Sequence, residues 1–226
     1  MRISRARKVE IVLRDLGRRY AEDDPLQGEG TTLAKLTAET EDPFKVLIGT
    51  ILSQRTRDEK TEVASRRLFA RYDTVDALAR ARVAEVQRLI KPVGFYRQKA
   101  RKLREVSRVL LARHGGRVPD TYEELIELPQ VGPKTANCVL VYGYGREALP
   151  IDTHCHRIPN RIGLIRTKTP EETERALGRI VPREYWVNVN EWFIRFGKEV
   201  CKPVGPRCGE CNFTAFCGYY RGRGQR

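Results

Sequence analysis

A chain of 226 residues can bury one large core or two small ones. Its 43 Lys and Arg against 29 Asp and Glu give a net charge of +14 and a pI near 9.8, which points to a polyanionic partner, most simply nucleic acid. No apolar run approaches a membrane span: the longest, Val46 to Leu52, is short and broken by Gly49 and Thr50.

From the N-terminus, Val9 to Tyr20 is amphipathic and carries Arg14, Asp15, Arg18 and Arg19, which is not a secretory signal pattern. The expectation is an intracellular protein, in the cytoplasm or nucleoid, with reduced thiols and no membrane partner. Asp42-Pro43 is a cap followed by a first-turn proline, and it leads into Phe44–Leu52, a helix apolar all round and hence central to a core. Asp58 to Tyr72 repeats apolar residues at Val63, Leu68, Phe69 and Tyr72. Arg82 to Ile90 places Val83, Val86, Leu89 and Ile90 on one face. Gln98 to His114 turns Leu103, Val106 and Leu110 inward and stops at Gly115-Gly116. Its other face, with Arg97, Lys99, Arg101, Lys102, Arg104 and Arg108, reads as a solvated or DNA-flanking surface.

The stretch from Leu128 to Asp152 carries the sharpest signal. Asp120 to Glu127 reads as a short helix capped by Asp120 with acidic residues in its first turn. Leu-Pro ends it, Val131-Gly132-Pro133 turns the chain, and Lys134 to Val141 suits a buried helix. Gly132 can take φ > 0 and Pro133 suits the first helical position. The hairpin would present backbone N–H groups at a helix N-terminus, where a phosphate binds. Lys134 stands at that terminus, where the helix dipole and a bound phosphate's surroundings are expected to lower its pKa and make it a nucleophile. Asp152 precedes Thr-His-Cys-His-Arg-Ile and reads as an N-cap. Spacing alone leaves two readings open: a phosphate-binding hairpin with a capping aspartate, or a catalytic pair. His154 and His156 are two apart on the following helix and do not share a face, so no ligand role is assigned to them.

Thr169-Pro-Glu-Glu172 is a capping box, and Tyr185 to Val200 reads as a last long helix. No strand-like alternation persists, so the fold expected is all-α. Cys201, Cys208, Cys211 and Cys217 are spaced C-x6-C-x2-C-x5-C, which asks for a tetrahedral zinc or a cubane iron–sulfur cluster. The single C-x2-C leans towards the cluster. Between the first two lies a stiff Pro- and Gly-containing loop with Lys202 and Arg207 at its ends, offered to a phosphate backbone or simply solvated. Cys138 and Cys155 lack paired spacing and read as core thiols. The tail Gly218–Arg226, basic and aromatic, is expected to be mobile and close to nucleic acid.

Together, Leu128-Pro-Gln-Val-Gly-Pro-Lys-Thr-Ala-Asn137, Ile151-Asp-Thr-His154, the segment Pro43 to Asp58 and the cysteine spacing resemble the endonuclease III family of helix-hairpin-helix DNA glycosylases. The resemblance implies two lobes: a six-helix barrel with the hairpin over 36–146, and a [4Fe-4S] cluster domain built from 1–35 with 147–226. It implies a bifunctional glycosylase and apurinic/apyrimidinic lyase, acting as a monomer on double-stranded DNA with a damaged pyrimidine or an abasic site. Lys134 would attack C1′ and form a Schiff base, and Asp152 would stabilise charge on the sugar and assist proton transfer. Gly132 and its neighbours would bind backbone phosphate, with a monovalent cation at the hairpin. The family's first hairpin glycine is Gln130 here, so either its backbone avoids φ > 0 or the turn differs. Either Gln54 or Arg55 would fill the gap left by the flipped base, and Phe95 falls where the family carries an apolar wedge. A uracil or thymine mismatch glycosylase, and a non-catalytic DNA-binding module with a structural metal, are the alternatives.

Overall fold

A computed structural model of the chain describes residues 3–20, 35, 36, 39, 40 and 42–223. Among the described residues there are helices and loops and no strands. The chain divides into two compact units, Leu26–Arg146 and Met1–Pro25 with Glu147–Arg226.

The helices, in chain order, are α1 (Arg5–Arg19), α2 (Pro43–Ser53), α3 (Asp58–Phe69), α4 (Val75–Arg80), α5 (Val83–Leu89), α6 (Tyr96–His114), α7 (Tyr122–Ile126), α8 (Pro133–Cys138), α9 (Thr153–Arg161), α10 (Pro170–Gly178), α11 (Trp186–Glu199) and α12 (Gly218–Arg223).

The contiguous unit is organised around α2. The Asp42 carboxylate accepts from the Phe44 N–H at 2.9 Å and Pro43 occupies the first turn, so its start follows from sequence alone. Residues Phe44 and Val46 to Leu52 are all buried, as a helix apolar all round requires. Helices α3, α6 and α8 pack on it, together with a π-helical turn, Val139–Gly143, that continues α8. In α3 the buried stripe is Thr61, Ala64, Ser65 and Leu68, while Val63 is exposed, unlike the stripe expected from Val63 and Phe69. Helix α6 starts two residues before the expected Gln98 and ends on Gly115 with φ +58, the left-handed stop that glycine takes without a Cβ penalty. Helix α7 is capped by Thr121, whose hydroxyl accepts from the Glu124 N–H. Asp120, expected to be the cap, instead pairs with Arg146.

In the unit built from both ends, α1 places Val9, Val12, Leu13, Leu16 and Tyr20 on one face at i, i+3, i+4, i+7 and i+11, and that stripe is buried. It meets Val189, Trp192, Phe193 and Phe196 of α11 and Phe213 and Phe216 near the chain's end, in one apolar core. Cys155 is buried there, and Cys138 is buried in the other unit, as expected of core thiols. Thr169 caps α10, but Glu172 accepts from the Lys168 N–H, one residue outside the reciprocal box. The tail departs from expectation: Gly218–Arg223 is helical, with the Tyr219 ring 4.0 Å from the Arg161 guanidinium, and 224–226 lie outside the described residues. No described helix is long and apolar enough to cross a membrane.

Candidate active site

The hairpin forms where the sequence placed it. Leu128 and Val131 are buried, Pro133 opens α8, and Lys134 is its second residue, half-buried. The backbone conformation is not the one expected. Gly132 lies at φ −101 and ψ −179, extended backbone open to any residue, and a Cβ there would meet nothing within 4 Å. The left-handed residue is Gln130, at φ +68. The turn therefore keeps its positive φ at the position occupied by glutamine, which accepts the strain rather than avoiding it. The open space over Gly132 leaves its backbone accessible to a large anion.

Gln130 is one of three described non-glycine residues with positive φ, the others being Arg55 (φ +52) and Phe95 (φ +56). All three lie in the contiguous unit, on loops tied to one another. The Gln54 amide donates to the Gln130 carbonyl and the Thr135 hydroxyl, both at 3.3 Å. The Arg55 guanidinium stands 5.9 Å from the centre of the Phe95 ring, and that ring is 60% exposed. The Gly94 N–H donates to the Thr56 hydroxyl at 3.3 Å. Gln54 is thus directed at the hairpin and Arg55 outward beside Phe95. Strained backbone concentrated on one set of loops marks residues held in place for contact with something else.

Beneath these loops lies Lys99, assigned above to a solvated face. It is buried, 7% exposed, and its ammonium donates to the Leu52 carbonyl (2.7 Å), the Gln54 carbonyl (2.6 Å) and the Thr56 hydroxyl (3.1 Å). Burial pulls its pKa down to about 8, while three acceptors and the C-terminal end of α2 favour the charged form. The signal was in the spacing: Lys99, Leu103, Val106 and Leu110 stand at i, i+4, i+7 and i+11, so the lysine is on the buried stripe.

Asp152 belongs to the other unit. Its Oδ1 accepts from the His154 and Cys155 N–H groups at 2.8 Å each, so it caps α9 as the sequence indicated, and it is half-buried. At the far end of α9, Arg161 donates to the Lys202 carbonyl (2.7 Å) and the Pro203 carbonyl (2.8 Å), and Arg157 to the Cys201 carbonyl (2.9 Å). Both arginines, i and i+4 on one helix face, escaped the sequence reading; they anchor the loop that begins at Cys201. That loop is tipped by Val204, 87% exposed, and Gly205, with Lys202 half-buried and Arg207 exposed beside Glu210. His154 and His156 engage Arg157 and Thr173 respectively.

None of the four clustered cysteines is in a disulfide. Burial, with Cys217, Cys201 and Cys208 adding to it against the Phe213 N–H, pushes Cys211 up to about 11. Burial likewise raises Cys217. Donors aim at the sulfurs: the Phe213 N–H at Cys211 and the Tyr220 N–H at Cys217, both 3.4 Å, and the Arg161 guanidinium at Cys201, 3.8 Å. Such donors stabilise thiolates, the form that ligates a metal, so the donor set suits a group held by four cysteines. Among the described residues no His, Cys, Asp or Glu side chains are grouped to hold a single ion.

A model of the HhH-GPD superfamily of base excision DNA repair proteins matches residues 48–183. The chain belongs to that superfamily. Within it the relatives are endonuclease III proteins, and this is an endonuclease III family member. Endonuclease III of Thermotoga maritima is 52% identical over 184 residues, 81% of this chain and 86% of that one. Endonuclease III-like protein 1 of Bos taurus is 40% identical over 79% of this chain, which spans 60% of the bovine protein's length. A trapped endonuclease III–DNA covalent intermediate superposes over 100% of both chains with a TM-score of 0.86 and 28% identity. A thermostable thymine-DNA glycosylase shares the fold at a TM-score of 0.82 and 24% identity.

Proposed function

We propose that this protein is a bifunctional base excision repair enzyme, which flips an oxidised pyrimidine out of double-stranded DNA, removes it and cleaves the strand 3′ to the abasic site. The observation that carries the reading is Lys134 at the second position of the hairpin helix, in a chain that matches a DNA-linked endonuclease III along its whole length. The neutral amine attacks C1′, the glycosidic bond breaks and the base leaves with its bonding electrons and a proton. Asp152 stabilises the positive charge that develops on the sugar and takes the proton released by the amine. The C1′–O4′ bond then opens to the iminium, with O4′ receiving the proton held by Asp152; the iminium acidifies the C2′ hydrogen, whose loss expels the 3′ phosphate by β-elimination, and water then releases the lysine.

The other residues divide by role. The backbone around Gly132 and Gln130 binds phosphate, and its carbonyls would hold a monovalent cation that offsets the phosphate charge. Of the two candidates for the gap the flipped nucleotide leaves, Arg55 enters it with its donor fork while Gln54 holds the hairpin, and Phe95 enters the duplex by stacking. Lys202 and Arg207 contact the phosphate backbone. Cys201, Cys208, Cys211 and Cys217 would hold a [4Fe-4S] cluster, which would staple the loop between the first two. The domain over 36–146 carries the hairpin, the remainder the cluster, and the enzyme works as a monomer on DNA inside the cell.

Borohydride trapping on a duplex containing thymine glycol tests the mechanism. The wild type is expected to give a covalent adduct and Lys134→Ala none. Binding without trapping, on this lesion and on an abasic site, would rule the Schiff base out and leave a mismatch glycosylase or a binding module. A broad visible absorbance band is expected of the purified protein; a colourless protein containing zinc would overturn the cluster.

A further inference from the structure

Lys99 joins both strained turns that bear the duplex-facing side chains. Its ammonium gathers the Leu52 and Gln54 carbonyls and the Thr56 hydroxyl, and that hydroxyl also accepts from the Gly94 N–H at 3.3 Å, next to Phe95. No carboxylate is among these partners, so the charge is spent on backbone shape and not on an ion pair. The Leu52 carbonyl of α2 that it takes, and that of the C-cap Gln54, are among those a helix end leaves without partners. Where α2 stops, Gln54 is the C-cap and Arg55, at the next position, adopts the left-handed conformation usually given to glycine. The ammonium draws two carbonyls before that turn and a hydroxyl just after it to one point, and Gly94 makes room: a Cβ there would stand 2.9 Å from the Arg55 carbonyl oxygen.

We propose that Lys99 is a positioning residue for nucleotide extrusion, holding the turns at Arg55 and Phe95 in the one arrangement that aims Gln54 at the hairpin and Arg55 and Phe95 at the duplex. It touches neither DNA nor the reacting atoms. The inference rests on the reading that these loops enter the duplex, and it assigns Lys99 to the step that opens the stack rather than to chemistry at C1′. Loss of the ammonium should therefore slow reaction on a paired, stacked lesion and spare reaction on a site that needs no extrusion.

The experiment compares wild type, Lys99→Met, Lys99→Arg and Gly94→Ala in two single-turnover assays: excision of thymine glycol from a duplex, and borohydride trapping at an abasic site in single-stranded DNA. Lys99→Met is expected to lose about tenfold or more on the duplex and less than about threefold on the single strand. A 2-aminopurine placed opposite the lesion should brighten more slowly by the same factor, and Lys99→Arg should recover part of the loss. Gly94→Ala, which retains the lysine and displaces the turn it holds, should reproduce the selective loss and decides the matter if Lys99→Met does not fold. Equal loss in both assays, or none, would overturn the proposal. A wild type that never traps at the abasic site would overturn the lyase reading instead, and this inference with it.

Discussion

Gln130 shows what a single backbone angle costs. A glutamine at φ +68 carries strain of about 1–3 kcal/mol that glycine would not. Gln130→Gly should nonetheless leave stability within about 1 kcal/mol of wild type, since relief in the folded turn is offset by added freedom in the unfolded chain. Gln130→Val, β-branched and worse suited to that region, should lower stability by about 1–2 kcal/mol, read as a shift in denaturant midpoint. The hairpin lysine and its turn were legible because proline and glycine punctuate sequence locally. The identity of the strained residue was not, because a φ angle is decided by what the turn must reach, here the Gln54 amide. Lys99 was legible only to someone who let helical spacing outrank charge: the apolar stripe of α6 includes it, and burial won because three acceptors await it.

Among elements, α9 does two jobs at opposite ends. Asp152 caps its start and Arg161 and Arg157 hold the cysteine loop at its finish. The cap that Asp152 makes and the catalytic role proposed for it can be separated, because asparagine retains the oxygen that accepts from the His154 and Cys155 N–H groups. Asp152→Asn should keep thermal stability within about 1 kcal/mol, the range of a lost charge at a helix start. Base release should fall by about a hundredfold or more, as expected when charge stabilisation near the reacting sugar is removed. Asp152→Ala should lose the activity and about 1 kcal/mol of cap as well. Helix starts were read well at Asp42, Asp152 and Thr169 because a cap is a local bond between neighbours in sequence. The end of α2 was read to within one residue, but not what holds it: a lysine 47 residues from Leu52, which no window around Ser53 contains.

For the molecule as a whole, the excess of 14 positive charges makes ionic strength a strong variable. If about six to ten phosphates are neutralised, affinity for undamaged duplex should fall by about 10³–10⁵ between about 50 and 200 mM salt. Lys134→Ala should leave that slope within about one unit, since the slope counts phosphate contacts and not chemistry. The all-α class was legible from periodicity throughout. The cooperation of α1 with α11 was not, because a stripe at Val9, Val12, Leu13 and Leu16 announces that it must be covered without saying by what.

That pairing of distant segments has a consequence for how the protein is made. Residues 26–146 follow one another off the ribosome, and the unit they form can close as soon as they are clear. Helix α1, synthesised first, must keep its apolar stripe exposed until α11 and the cysteine segment emerge, roughly 200 residues later. At translation rates of about 5–20 residues per second that wait is about 10–40 s. A nascent chain stalled before Val189 should therefore protect 42–146 from protease and leave α1 open to cleavage or to chaperone capture. Release of a chain extending past Cys217 should close both at once.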